Sequence, residues 1–212
     1  MKITLEAVLP AEIERRSMEL IEQELATQKI VLQPELAPVI KRAIHTSADF
    51  DYARNLVFSP GVVQKGRAAI QNGACIVTDT QMTKAGINKK LLAHFGGEVF
   101  CFMADEDVAQ AAQAQGSTRA AVSMDKSLTL NRPLIFAIGN APTALVRLYE
   151  LICEEKLKPE LVIGVPVGFV NVVESKELLL QTQVPHIVAR GRKGGSNIAA
   201  AIVNALLYGI DK

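Results

Sequence analysis

A basic, glycine-rich segment near the carboxyl end of the sequence offers the clearest chemistry. Residues 190–196 read RGRKGGS, which combines three cations with three glycines. Glycines let the backbone approach a ligand closely, and unpaired N–H groups at the start of a following helix attract carboxylates or phosphates. Neither GxxxxGKS/T nor GxGxxG occurs, so the common nucleotide fingerprints are absent. The segment is either an anion-binding site, with Arg192 as a candidate ligand, or a solvated basic turn between a strand and a helix.

A histidine on the second predicted helix lies between a cation and a carboxylate. At about 100° per residue, Arg42, His45 and Asp49 fall within about 60° of one another, opposite the apolar stripe of that helix. Asp49 favours the imidazolium and Arg42 opposes it, so we expect the imidazole to exchange a proton near neutral pH. His45 is therefore a candidate general acid, and the alternative is an ordinary solvated helix face.

The cysteines and serines suggest neither a metal site nor a covalent nucleophile. Cys75, Cys101 and Cys153 form no CxxC pair and have no ligand spacing to any histidine, so we expect no metal. No GxSxG motif encloses a serine, which argues against a serine hydrolase. Ser17 follows Arg16 on the first predicted helix, where it is either a hydrogen-bonding partner of a ligand or an ordinary surface serine.

Short apolar runs alternating with helical segments predict the elements that position these residues. We predict strands at residues 74–78, 99–103, 134–138, 161–165 and 187–189. We predict helices at residues 11–28, 34–48, 88–94, 105–115, 118–130, 140–155, 174–181 and 194–208. Runs without polar alternation are typical of strands buried on both faces, so the prediction is a three-layer α/β/α fold with a mainly parallel sheet of about five strands. Ligands bind beyond the carboxyl ends of such strands.

Length, composition and charge narrow the class of protein. The 212 residues, 49% of them hydrophobic, predict one domain over residues 1–212, with a helical segment at about 11–72 and an α/β body at about 73–212. A formal charge of +1 argues against nucleic-acid binding, and the longest apolar stretch is too short and too broken to span a membrane. The odd cysteine count and the lack of a signal peptide predict a cytoplasmic protein.

Several short motifs occur in an order that resembles the precorrin-8X methylmutase family, also called cobalt-precorrin-8 methylmutase when the ring carries cobalt. The motifs are RS at 16–17, RAIH at 42–45, FSP at 58–60, Asp79 with Met82, TR at 118–119, GNAPTAL at 139–145, GVPVGFV at 164–170 with ESK at 174–176, and GR with GGS within 191–196. The resemblance runs from about residue 10 to the carboxyl terminus. Met18 stands where the family has phenylalanine, a departure that concerns packing.

The resemblance implies an isomerase of cobalamin biosynthesis. It implies that a methyl group moves between neighbouring carbons of pyrrole ring C within one molecule, giving hydrogenobyrinic acid or its cobalt counterpart, cobyrinic acid. No methyl donor, redox cofactor or other cofactor is then required. The catalytic histidine of the family falls on His45, which is implied to donate a proton or hydrogen bond to the ring C nitrogen.

The resemblance also implies binding positions and a quaternary state. The candidate ligands of the tetrapyrrole's acetate and propionate arms are Arg16, Ser17, Arg42, Arg119 and Lys176, with Arg192 added from the basic segment. A homodimer with its site at the subunit interface is implied as well, which accounts for a mean hydropathy of +0.20 with only 5% aromatic residues.

Two other functions remain open on the residues alone. The first is an α/β enzyme that binds a phosphorylated small molecule at residues 190–196. The second is a tetrapyrrole carrier that has the same apolar slot and basic rim but performs no chemistry.

Overall fold

The computed structural model describes residues 5–210 and contains one six-stranded sheet. Its strands are β1 (Leu56–Phe58), β2 (Cys75–Thr78), β3 (Val99–Phe100), β4 (Leu134–Ile138), β5 (Leu161–Gly164) and β6 (His186–Ala189). Their order across the sheet is β1-β6-β5-β4-β2-β3, and every neighbouring pair is parallel except β1 with β6. The mainly parallel sheet is confirmed, with six strands where about five were expected.

Helices follow nearly every strand. They are α1 (Ile13–Thr27), α2 (Ala37–Ser47), α3 (Tyr52–Asn55), α4 (Val62–Gln71), α5 (Gln81–Gly86), α6 (Lys89–His94), α7 (Glu106–Gln115), α8 (Arg119–Ser127), α9 (Pro142–Cys153), α10 (Val172–Leu180) and α11 (Ser196–Leu207). The predicted helices all occur, within three residues at each end. The short helix α5 lacks an apolar period and is absent from the prediction. Within residues 5–210, no helix is long and apolar enough to cross a membrane.

The additional strand lies in the segment 51–72, where the sequence predicts no strand. Leu56 pairs with Ala189 and Phe58 pairs with Ile187, so β1 forms an antiparallel edge beside β6. A run of three apolar residues carries no readable period, because strand and helix patterns differ only over longer windows. Pairing with β6, about 130 residues away in sequence, defines this strand.

Two hydrophobic clusters lie on opposite faces of the sheet and make the fold three-layered. Alternate residues of β4 point to opposite faces: Ile135 and Ala137 join the cluster under α1, α2, α4 and α11, whereas Phe136 and Ile138 join the cluster under α7 to α10. The first cluster contains residues from before and after position 72, including Ile21 and Leu206. The amino-terminal helices therefore cover the same sheet as the α/β body.

Candidate active site

Four loops meet where the parallel strands end. We call these the carboxyl-edge loops: residues 79–82 after β2, 139–143 after β4, 165–170 after β5 and 190–196 after β6. The hydroxyl oxygens of Thr80 and Ser196 are 2.8 Å apart, and a side chain at Gly194 would overlap the carbonyl oxygen of Val165. The glycines of the basic segment therefore allow close packing between loops.

The carboxylate of Asp79 fixes one of the carboxyl-edge loops. Asp79 is 1% exposed and accepts hydrogen bonds from three successive backbone N–H groups: Gly139 at 2.9 Å, Asn140 at 2.7 Å and Ala141 at 2.6 Å. Burial raises the pKa of the Asp79 carboxyl group, and the three N–H bonds oppose that rise. Asn140 precedes α9, and its backbone N–H donates to Asp79.

The ammonium group of Lys176 fixes another carboxyl-edge loop. Lys176 is 0% exposed, and its Nζ donates to the carbonyl oxygens of Gly191 at 2.7 Å and Lys193 at 2.9 Å. Burial lowers the pKa of Lys176 to about 8. The sequence suggested this lysine as a ligand of the substrate's carboxylates. In the structure, its ammonium holds the loop that carries Arg192.

The cations of the basic segment differ in their partners. Arg190 pairs with Glu177 at 3.0 Å, and Lys193 pairs with both Asp49 and Asp51 at 2.6 Å. Arg192 has no ion-pair partner among the residues the structure describes, and its guanidinium lies 5.5 Å from the ring centroid of Phe169. Of the three cations, Arg192 is thus the one whose charge remains available to an anion.

Phe169 and Val170 place an apolar surface at the same edge. They are 80% and 78% exposed, although both are large hydrophobic residues. The backbone N–H of Gly168 donates to the carbonyl of Arg192 at 3.2 Å, which holds this loop against the basic segment. Exposed apolar side chains beside a free cation are typical of a surface that a ligand or a partner covers.

Arg119 lies next to the loop after β4. It is the first residue of α8, and its side chain is exposed. The preceding Thr118 caps α8 and has its hydroxyl oxygen 2.8 Å from that of Thr143, at the start of α9. Arg119 therefore directly follows a residue that contacts the first turn of α9.

His45 lies near the carboxyl end of α2 and lines a groove of about 520 Å³ between α1 and α2. The other side chains that line the groove are Ser17, Leu20, Ile21, Glu24, Ile44, Ala48 and Phe50. The imidazole is exposed and makes no hydrogen bond to any residue in the range 5–210. Its two nitrogens therefore have no hydrogen-bonding partner within the described residues. Ser17 lines the same groove as His45.

The predicted neighbours of His45 have other partners. α2 ends at Ser47, and Ala48 has a left-handed backbone, so Asp49 leaves the helical face and pairs with Lys193. Arg42 pairs with Glu14 at 2.6 Å and lies 5.6 Å from the ring centroid of Tyr208. The prediction of Asp49 beside the imidazole is wrong, because the helix ends two residues before it.

The remaining predicted residue, Arg16, is on the surface of α1. Its guanidinium pairs with Glu6 at 2.8 Å and with Glu19 at 3.6 Å. The hydroxyl of the adjacent Ser17 donates to the carbonyl of Ile13, which leaves the hydroxyl oxygen able to accept a hydrogen bond. The predicted residues thus form two groups, one on α1 and α2 and one on or beside the carboxyl-edge loops, where Arg192 lies on the loop after β6, Lys176 on α10 and Arg119 at the start of α8. The Lys193–Asp49 ion pair connects them.

Among the described residues, neither a metal-binding cluster nor the larger cavity provides a second site for the predicted residues. In the part of the chain that the structure describes, no group of three or more histidine, cysteine or acidic side chains is arranged to hold a metal ion. A larger cavity of about 660 Å³ lies near the end of α9, lined by Cys153 and Pro185 among others, and contains none of the predicted site residues.

Sequence reasoning missed the roles of Asp79 and Phe169. Asp79 was recognised only as part of a motif, because its partners lie about 60 residues away and no local pattern predicts them. Phe169 lies in an apolar run, where exposure has no sequence signal. The polar residue directly after a buried strand was the available signal for Asp79.

A parallel sheet with an accessible imidazole and free cations near its carboxyl edge is typical of an α/β enzyme acting on an anionic small molecule. The family model for precorrin-8X methylmutase matches residues 12–209, and the chain belongs to this family. It is therefore a methylmutase, an isomerase that moves a methyl group within one molecule.

Relatives and a solved structure agree with this membership. The chain is 45% identical over 199 residues to cobalt-precorrin-8 methylmutase of Priestia megaterium, covering 94% of this chain and 88% of that protein. It is 40% identical over 174 residues to precorrin-8X methylmutase of Pseudomonas aeruginosa, covering 81% and 83%. The solved precorrin-8x methyl mutase from Thermus thermophilus superposes with a TM-score of 0.85 at 39% identity, covering 94% and 98%.

Proposed function

We propose that this chain moves a methyl group between neighbouring carbons of pyrrole ring C of precorrin-8X or cobalt-precorrin-8, giving hydrogenobyrinic acid or cobyrinic acid. The observation that carries this proposal is the family match over residues 12–209. Relatives named for the cobalt-containing and the metal-free substrate both match the chain well. The reaction is an isomerisation, so it consumes no methyl donor.

His45 is the proposed general acid. An imidazole that lines a groove and has no hydrogen-bonding partner within residues 5–210 is free to donate to a ligand atom. Donation to the ring C nitrogen draws electron density from the ring as the methyl group moves, which stabilises the transition state. The apolar side chains of the groove, among them Leu20 and Phe50, strengthen that interaction by excluding water.

The substrate's carboxylate arms are proposed to bind polar and cationic side chains on α1, α2, α8 and the loop after β6. Ser17 and Arg42 are the proposed ligands on α1 and α2, with Arg16 beside them. Arg119 at the start of α8 and Arg192 on the loop after β6 are the other two. Arg16 and Arg42 already pair with exposed glutamates, so a substrate carboxylate exchanges one exposed ion pair for another. Arg192 offers its charge without such an exchange. We do not assign Lys176 a substrate contact, since its ammonium donates to two backbone carbonyls.

A homodimer is proposed to complete the site. The groove at His45 is open, and a ligand site normally buries most of its ligand. Large apolar side chains are exposed on α1 and on the loop after β5. These side chains are Ile13, Leu20, Phe169 and Val170. A second copy that covers them closes the groove over the macrocycle. The three free cysteines support a cytoplasmic location.

One incubation tests the proposed function. The protein is mixed with metal-free precorrin-8X or with cobalt-precorrin-8, and the product is analysed by mass and by NMR connectivity. We expect unchanged mass with the methyl group on the neighbouring carbon, and a shift of the absorption spectrum because the conjugated system changes. Tight binding with unchanged connectivity in both incubations would mean that the chain is a carrier. Binding of sugar phosphates without binding of corrinoids would favour the phosphate enzyme.

A further inference from the structure

Asp79 is buried, and three backbone N–H groups of the loop after β4 donate hydrogen bonds to its carboxylate. Successive N–H groups that point to one spot form an anion-binding concavity, which in many proteins holds a phosphate or a carboxylate. Here the protein's own carboxylate occupies it, with donor distances of 2.6 to 2.9 Å to residues 139–141. Both carboxylate oxygens accept hydrogen bonds. An amide NH₂ group in place of either oxygen would face a backbone N–H donor and could not accept its hydrogen bond.

We propose that Asp79 is a positioning residue for substrate binding: through the loop after β4, it sets the position of Arg119 at the edge of the active site. The proposal rests on the proposed function, because it assigns Arg119 to the substrate's carboxylate arms. Asp79 itself does not touch the substrate.

The hydrogen bonds define the route from Asp79 to Arg119. The carboxylate holds residues 139–141, and α9 begins directly afterwards at Pro142. Thr143 in the first turn of α9 has its hydroxyl oxygen 2.8 Å from that of Thr118, which precedes Arg119. Helices α8 and α9 also pack against each other. A displacement of the loop therefore moves the end of α8 that carries the guanidinium.

The contacts around Asp79 lie between active-site loops and not within the hydrophobic core, so we expect the residue to position loops more than to stabilise the whole fold. The next residue, Thr80, is hydrogen-bonded to Ser196 at the start of α11, and a side chain at Gly139 would overlap the backbone of Ser196. Asp79 thus lies where the loop after β4 meets the loop after β6. Its loss displaces loops at the active site, whereas the sheet and both hydrophobic clusters keep their contacts.

A double-mutant cycle tests the proposal. Binding of cobyrinic acid, the cobalt-containing product, is measured by equilibrium dialysis for the intact chain, Asp79→Asn, Arg119→Ala and the double variant. We expect Asp79→Asn to raise the Kd about tenfold in the intact chain, and less than twofold when Arg119 is absent, because coupled residues are not additive. An equal increase in both backgrounds overturns the proposal.

Two further variants keep the result interpretable. Asp105→Asn removes a carboxylate that also follows a strand but pairs with Lys126, and we expect an unchanged Kd. Thr143→Val removes the hydroxyl that contacts Thr118, at an exposed residue. Its result does not depend on whether Asp79→Asn folds. We expect it to raise the Kd at least threefold and to lose that effect without Arg119. A Kd equal to that of the intact chain contradicts the route.

Hydrogen exchange distinguishes a failure of this proposal from a failure of the proposed function. If the intact chain neither binds cobyrinic acid nor converts precorrin-8X, the proposed function is wrong, and the exchange measurement still tests the positioning. We expect the amides of residues 139–141 and of the first turn of α8 to exchange at least tenfold faster in Asp79→Asn. Faster exchange at residues 139–141 alone, or at neither place, shows that Asp79 does not control α8.

Discussion

The Nζ of Lys193 lies 2.6 Å from Oδ2 of Asp49, and this ion pair joins the loop after β6 to the residues that follow α2. Asp51 accepts from the same ammonium at 2.6 Å. The helix that carries His45 is thereby held against the carboxyl-edge loops. This contact connects the segment after α2 to the loop that carries Arg192.

Lys193→Met is expected to lower kcat about tenfold while the fold is retained, because small displacements of reacting groups are costly. Steady-state kinetics and circular dichroism measure the two effects. Lys193 lowers the pKa of Asp49, so the ion pair stabilises the folded state at neutral pH, and that contribution is lost as the pH falls through the lowered pKa. Lys65→Met, at an exposed lysine of α4, is the control and leaves kcat unchanged.

Lys176 gives a prediction for alkaline pH. Its pKa in the folded chain is about 8, below the ordinary value of 10.5. Between these two values the unfolded chain binds more protons, so this residue makes the free energy of unfolding rise with pH. The intact chain is therefore expected to gain stability relative to Lys176→Met between pH 8 and pH 10, by on the order of 1–3 kcal/mol. Urea unfolding of both proteins at several pH values measures the difference, and a constant difference contradicts the buried ammonium.

Much of the fold could be predicted because a strand that is buried on both faces has an uninterrupted run of apolar residues. The run LIFAI of β4 has the predicted bounds, since five successive apolar residues fit only a strand covered on both faces. β1 could not be predicted, because three residues become a strand only by pairing with β6. Asp49 was misplaced because nothing in the sequence showed that Ala48 adopts a left-handed backbone and ends α2.

The sequence indicated candidate site residues but not their partners. Ser17 and His45, on two adjacent helices, line the same groove. Burial of Lys176 was not predictable, because a lysine after a glutamate and a serine reads as a solvated helix face. Its carbonyl partners are supplied by a loop that folds over α10. Long-range polar contacts of this kind have no local signal.

The arginines proposed to bind the substrate's carboxylates give a prediction about affinity. Arg42→Ala and Arg119→Ala are each expected to weaken the binding of cobyrinic acid about tenfold, as expected for the loss of a charged hydrogen bond. Arg15→Ala is the matched control on α1, because Arg15 pairs with Glu12 and Glu19 and is not a proposed ligand of the substrate. Equilibrium dialysis measures all three. Unaltered dissociation constants in both test variants remove these arginines from the site.

The exposed apolar loop gives a prediction about assembly. Phe169→Glu is expected to convert the proposed homodimer to a monomer at micromolar concentration, because it buries a charge in the interface. Val31→Glu is the control, since Val31 is 94% exposed and lies outside the groove at His45. Sedimentation velocity distinguishes the two states. A Phe169→Glu protein that sediments with the intact protein's mass excludes this loop from the interface.

The role of His45 is tested most directly by single-turnover conversion of precorrin-8X, followed by absorption spectroscopy. His45→Ala is expected to slow the spectral change by a factor of about 100 to 10,000, the range for loss of a general acid. The Kd for cobyrinic acid is expected to stay within about twofold, because the imidazole is exposed and its removal leaves the proposed ligands of the carboxylate arms in place. A His45→Ala protein that rearranges precorrin-8X at the rate of the intact chain would show that this imidazole is not the acid.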